Sequence, residues 1–391
     1  MYKTGELAKM ANVSIRTIRY YDSIGLLAPS AYSVSGHRLY TEKDFSKLQR
    51  ILALKYLGLS LEEVMNVEAG GFEKDHVVKI LELQKQILRN KLYHIKNAIA
   101  FIEETKTSVV DECVVDWSEI TDFVQVAKED TILRQRLIDR SSLMAEIEFV
   151  EQLNPNKNWY EWVFAQLDLP ASARVLEIGC GEGSLWYKNK QHVPPALQAT
   201  LTEVTYDLLS GAKQNLGKDF AHFEFEVMPF DVLTFDDESF DVVIANHVLF
   251  FSKNAREILA QIKRILKKGG RFYCSTITAE HLKELEELLS KYDKKLHLGK
   301  AKQLQNFGDE QANLLLTEQF DTVTSAHYVD ELVINHPDML LNYIYSIPGE
   351  MLAIASNRRK EFESYIEKAI SAAQLNFKVA NCHVLFSCTK G

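Results

Sequence analysis

The most informative chemistry in this chain lies in a run of small and acidic residues near its middle. Val175-Leu176-Glu177-Ile178-Gly179-Cys180-Gly181-Glu182-Gly183 reads as an apolar strand ending in a glycine loop. Glycines at Gly179, Gly181 and Gly183 let the backbone turn sharply and approach a ligand closely. The spacing alone is a weak signal, because dinucleotide-binding loops share it. Two carboxylates narrow the reading. Glu177 stands just before the loop, where it would repel a pyrophosphate but can accept from an ammonium or a water. Glu203 closes the next strand, where a carboxylate can hold two ribose hydroxyls. An uncharged nucleoside with an amino-acid tail satisfies both; a dinucleotide does not. His247, at the end of a later strand, offers a base, and a purely structural histidine is an equal alternative there.

A second cluster stands near the N-terminus. Arg16, Thr17, Arg19 and Tyr20 fall within two turns of one helix, and Arg38 and Tyr40 follow on a short extended piece. Cations and hydroxyls so grouped suit a DNA groove and its phosphate walls. Spacing alone leaves open the alternative of ordinary surface cations and core tyrosines. Charge distribution bears on this. The chain carries a net charge of -9, yet residues 1–60 hold nine Lys/Arg against four Asp/Glu, so a head of +5 sits on a body of -14. Only the head is suited to a polyanion.

The elements that must position these groups are legible in part. The pattern predicts a helix over Thr4–Met10 and a second one capped by Ser14 and stopped at Gly25. A turn over 31–36 leads to an extended piece with Arg38, Leu39 and Tyr40. Thr41 with Asp44, and Ser60 with Glu63, have capping-box spacing. Beyond Gly70-Gly71, Leu81, Leu88, Ile95 and Ile102 recur every seven residues, with Val78, Leu92 and Ile99 beside them. That predicts a coiled coil, against the alternative of one amphipathic helix packed on its own domain. Residues 109–150 read as an acidic helical connector anchored by Trp117 and Phe123. From Ala171 onward, strands at 174–178, 199–204, 240–245 and 271–276 and a helix at 253–266 imply a parallel sheet covered by helices. Further strands are expected at 322–328 and 378–387, with a helical insert at about 336–375.

Composition excludes several classes. The 391 residues allow two or three domains. No apolar run reaches membrane-span length and no signal-peptide core opens the chain, so a cytoplasmic location is expected. Five cysteines (Cys113, Cys180, Cys274, Cys382 and Cys388) without a CxxC pair give neither a disulfide framework nor a metal site.

Two resemblances carry the reading further. Val13-Ser14-Ile15-Arg16-Thr17-Ile18-Arg19-Tyr20-Tyr21-Asp22-Ser23-Ile24-Gly25-Leu26-Leu27, with Gly36-His37-Arg38-Leu39-Tyr40 as a wing, resembles the MerR family of transcription regulators over about residues 2–108. The resemblance implies a homodimer through a helix at 73–108 and binding to double-stranded promoter DNA. It implies that Arg16 and Thr17 face the groove, and that Arg19, Tyr20, Tyr21, Arg38 and Tyr40 contact or position the DNA backbone. The glycine loop, Thr202-Glu203-Val204-Thr205, Phe235-Asp236-Asp237-Glu238-Ser239-Phe240, Asn246-His247-Val248-Leu249 and the run Ile262 to Phe272 resemble the class I S-adenosylmethionine-dependent methyltransferases. That resemblance implies a Rossmann-like fold and S-adenosylmethionine as cofactor. It gives cofactor-binding roles to Glu177, Gly179, Cys180, Gly181, Gly183, Glu203, Val204 and Asn246. The family's adenine-side Asp is Pro229 here, which turns attention to Asp231 and the Val232 backbone. No DNA-methylating tetrapeptide or Pro-Cys loop follows the fourth strand.

The expected architecture is therefore multidomain, α and α/β: a winged helix-turn-helix (1–72), a dimerisation helix (73–108), a connector (109–150) and a methyltransferase-type body (151–391). The expected function is a DNA-binding regulator carrying a small-molecule methyltransferase with His247 as base. The alternative is a sensor whose body binds S-adenosylmethionine or a drug-like effector without turnover.

Overall fold

A computed structural model of the chain describes residues 1–56, 61, 64, 65, 85, 88, 89, 130–220, 222–347 and 358–391. It separates into two compact units, residues 1–85 and 86–391. The helix start at Ser60 and Glu63, most of the seven-residue seam, Cys113, Trp117 and Phe123 lie outside the described residues. Of the seam, only Leu88 is described, and it is half exposed.

The head begins with β1 (Tyr2–Lys3), α1 (Thr4–Met10) and α2 (Ile15–Ser23), followed by β2 (Ala31–Tyr32), β3 (Arg38–Tyr40) and α3 (Glu42–Tyr56). Ser14 caps α2 as expected, its hydroxyl accepting from Thr17 N at 3.0 Å. Gly25 follows the helix at φ +76°, a left-handed conformation that suits glycine and ends the helix. Thr41 and Asp44 form the expected reciprocal cap of α3: Thr41 N donates to the Asp44 carboxylate at 2.7 Å, and Asp44 N donates to the Thr41 hydroxyl at 3.3 Å. The three short strands make one sheet in the order β1-β3-β2. Leu7, Ile18, Tyr21, Leu26, Leu27, Tyr40, Leu48 and Ile51 fill the core.

In the body, α4 (Asp130–Leu153) and α5 (Trp159–Gln166) precede a seven-stranded sheet. Its elements are β4 (Arg174–Ile178), α6 (Ser184–Tyr187), β5 (Gln198–Glu203), α7 (Tyr206–Leu216), β6 (Glu224–Val227), β7 (Phe240–Asn246), α8 (Ala255–Ile265) and β8 (Leu266–Ile277). Then come α9 (Lys283–Tyr292), α10 (Lys300–Phe307), α11 (Asp309–Gln319), β9 (Thr322–Ile334), α12 (Pro337–Ser346), α13 (Arg359–Ala372) and β10 (Phe377–Thr389). The strand order is β6-β5-β4-β7-β8-β10-β9. The first five are parallel; β10 then adds antiparallel to β8, and β9 antiparallel to β10. Strand order reverses between β4 and β7, the topological switch point where open α/β sheets bind ligands.

Several elements differ from the sequence pattern: β8 and β9 run longer than the strands expected at 271–276 and 322–328. β6 was not expected, because Glu224 and Glu226 break its short apolar signal. The connector expected to end at 150 instead runs on as α4 to Leu153, and its Leu143 and Phe149 lie in the body's cores. No helix among the described residues is long and apolar enough to cross a membrane.

Candidate functional site

In the head, α2 exposes Arg16, Arg19 and Tyr20 together. Thr17 is half-buried, and its hydroxyl bonds that of Ser14 at 2.8 Å. Arg38 is tied back from the wing to the helix by a 2.6 Å bond from its Nε to Asp22, which fixes β3 against α2. Tyr21 and Tyr40 are core residues, 6% and 0% exposed. Of the two expected roles, contacting or positioning the DNA backbone, such burial suits positioning through packing. Burial pushes both phenols above their ordinary pKa.

In the body, the glycine loop follows β4, Glu203 ends β5 and His247 follows β7, so the chain delivers all three to the switch point. Gly179, Gly181 and Gly183 all have positive φ. A Cβ on Gly179 would stand 2.6 Å from Val248 Cγ2, so the loop packs without side chains. Glu203 is 3% exposed. Its Oε2 accepts from Gly181 N at 2.9 Å and its Oε1 from Val204 N at 2.7 Å, which locks the carboxylate beside the loop.

Glu177 is turned elsewhere: it accepts from the Trp186 indole at 2.6 Å, and burial raises its pKa to about 7. Cys180 points into the core, where burial raises its thiol pKa well above the ordinary value. Asn246 accepts from Ser275 Oγ at 2.5 Å and Trp159 Nε1 at 3.2 Å, and so braces the strand end. Val232 is exposed, and Asp231 accepts from Gln261 through its main chain. The cavity beside Glu203 is lined instead by Met228 and Phe230, together with Gly179, Val204, His247 and Val248. Met228 N bonds Glu203 O at 2.9 Å, which sets that segment beside the carboxylate; composition gave no signal for it.

A buried histidine chain completes the site. His383 Nε2 lies 2.7 Å from Asn381 Oδ1, an oxygen that only accepts, so His383 donates from Nε2 and its Nδ1 must accept. That Nδ1 is 3.1 Å from His247 Nε2, which therefore carries the proton. His247 is left with a lone pair on Nδ1. Its backbone N donates to Ser275 Oγ at 2.9 Å, and its ring stacks on Trp159 at 4.8 Å. Burial lowers its pKa to about 3, so it is neutral at physiological pH. Nearby, Glu146 of α4 accepts from His281 Nε2 at 2.8 Å and Lys300 Nζ at 2.5 Å. Burial alone would raise this carboxyl, but Lys300 and His281 hold it well below the carboxylate range.

Comparison with known proteins agrees with this division. Residues 2–70 match the MerR HTH family of regulatory proteins. The chain is 33% identical over 109 residues to the HTH-type transcriptional regulator ZntR of Escherichia coli, covering 28% of this chain and 76% of ZntR.

The chain belongs to the MerR family.

Over the same length this MerR-family chain is 37% identical to the transcriptional activator mta of Bacillus subtilis, covering 28% of the chain but only 41% of mta. It spans a quarter of the activator TipA of Streptomyces lividans. Residues 170–323 match a methyltransferase domain family, so a MerR-type head is followed by a methyltransferase domain. Among solved structures, the YcgJ protein of Bacillus subtilis covers 59% of this chain and 97% of itself, at 14% identity and a TM-score of 0.43. A putative methyltransferase of Bacillus halodurans covers 59% and 98%, at 14% identity and 0.41.

Proposed function

We propose that this protein is a promoter-binding transcription regulator, dimeric through residues 73–108, whose body binds S-adenosylmethionine and methylates a small molecule. The observation that carries the cofactor reading is Glu203, held at a strand end beside the glycine loop by two backbone N–H groups. Its Oε1 retains a lone pair for a ribose hydroxyl, and Oε2 offers one when its 3.4 Å contact with Arg140 is exchanged for the ligand. The glycines provide close backbone approach, and Met228 and Phe230 offer apolar walls for a base. When bound, S-adenosylmethionine supplies an electrophilic methyl group. His247 Nδ1 would accept the proton of the methyl acceptor, as a weak base at its lowered pKa of about 3, while His383 and Asn381 hold its tautomer. His247 is 5% exposed and enclosed by Trp159, Phe250 and His383, surroundings that favour a small acceptor over a polymer.

Calorimetric titration of the full chain with S-adenosylmethionine and its demethylated product tests the reading. Glu203→Ala should weaken both at least tenfold, since a charge-assisted hydrogen bond contributes roughly 1.5–3 kcal/mol and 1.4 kcal/mol is about a factor of ten. Absence of heat in the wild type, with no nucleoside in the native mass spectrum of purified protein, overturns it.

A further inference from the structure

Arg140 stands where a nucleoside ligand would have to lie. It belongs to α4, the helix that the chain enters on its way from the head. Its Nη2 is 3.4 Å from Glu203 Oε2 and 3.5 Å from Gly179 O. A Cβ built on Gly181 would run into the same nitrogen. The cavity left among Gly179, Glu203, Phe230 and His247 is about 30 Å³, whereas ligand sites measure roughly 300 Å³ or more. Arg140 also borders an open cleft of about 490 Å³, lined besides by Tyr160, Glu182, Tyr187 and Lys188.

Arg140 and the residues that follow it on α4 are held very differently. Arg140 makes long contacts, and its Nε is buried without an acceptor among the described residues. Six residues later, Glu146 is gripped by Lys300 and His281. Phe149 stacks on Tyr343 at 4.5 Å, and Leu143 sits in the core. The charge also fits an exchange. Glu177 and Glu203 are buried acids, and a guanidinium is a counter-ion that a sulfonium can replace.

We propose that Arg140 plugs the nucleoside cradle, and that the ligand displaces it and frees the N-terminal turns of α4 while Glu146 keeps the rest docked. Filling the cradle is thereby reported to the segment that joins body and head. This rests on the S-adenosylmethionine reading above. Linkage makes it reciprocal: whatever holds the first turns of α4 down weakens ligand binding.

The test uses the full chain with S-adenosylmethionine and S-adenosylhomocysteine as probes. Arg140→Ala and Arg140→Met, the latter keeping the apolar stem, should each bind three- to tenfold more tightly than wild type, because the competent state no longer has to be purchased by displacement. Hydrogen exchange on wild type should show protection at 179–204 on ligand addition together with faster exchange at 130–142. Binding that is unchanged or weaker in both variants, or protection of 130–142 by ligand, overturns the plug and leaves the cofactor reading standing. No binding by wild type or either variant, with native circular dichroism in all three, overturns the cofactor reading and the plug with it.

Discussion

The head and the cradle deploy their functional groups in opposite ways. Arg16, Arg19 and Tyr20 are exposed on a helix whose orientation is set by buried neighbours. In the cradle, Glu203 is almost wholly buried and already engaged by two amides and one guanidinium. A polyanion can therefore meet the head without rearranging it. On the proposed reading, a ligand at Glu203 has to exchange contacts that exist beforehand, so its binding should change the conformation of the body.

The sharpest way to break this contrast is at the head. Arg16→Ala with Arg19→Ala should reduce affinity for DNA selected from a random pool by about a hundredfold or more, at roughly 1–3 kcal/mol per contact. The wild-type log–log salt slope should be about -0.9 per neutralised phosphate, and calorimetry with S-adenosylhomocysteine should not change. Fluorescence anisotropy showing intact, salt-insensitive binding in the double variant would remove the DNA-reading face.

Acid tests the pre-engaged interior of the body. His247, His281 and His383 are buried, and burial lowers all three pKa values below 6.5. A folded-state pKa below the unfolded one means stability that is complete above pH 6.5 and is lost as pH falls. Glu177, raised to about 7, works in the opposite sense, because the unfolded carboxyl ionises first as pH rises. With three histidines set against Glu177, stability should fall as pH drops from about 6.5 to about 5.5. Urea unfolding followed by tryptophan fluorescence should show it, with a shallower slope in His383→Gln. Stability that is flat or rises on acidification contradicts the neutral histidine chain.

The smallest effect separates framing from contact within the head. The Tyr40 hydroxyl is buried with no hydrogen-bond partner among the described residues. Tyr40→Phe should leave DNA affinity unchanged and alter stability by no more than about 1 kcal/mol, in the favourable direction. A marked loss of DNA binding would return Tyr40 to the phosphate face.

What the sequence made legible follows from range. β4 matches its expected bounds because an unbroken apolar run sits next to glycine punctuation. Ser14 and Gly25 delimit α2 through chemistry within a few residues. Glu203 could be found because a strand-end carboxylate has a local signature. Arg140 and His383 could not, because each meets its partner only after the sheet has formed, and Asn381 acts only through its near neighbour His383. Residue 383 reaches His247 through the antiparallel pairing of β10 with β8, in which His383 lies opposite Ile277. Arg140 reaches Glu203 from a helix whose acidic composition read as a spacer. For Tyr21 and Tyr40 the sequence leaves contact and positioning both open for a related reason: a tyrosine on an amphipathic helix or strand carries no mark of which end is wet.

His247 has one more property, in its backbone. Its φ of +55° lies in the left-handed region, which side chains branched at Cβ enter only at considerable cost. A saturation library at this position would therefore be filtered by shape before any chemistry was selected. Glycine and asparagine should appear among folded variants, while valine and isoleucine should be depleted even under selection for expression alone. The residues available for inheritance at this strand end are thus restricted by the turn that follows β7, whatever reaction is performed beside it.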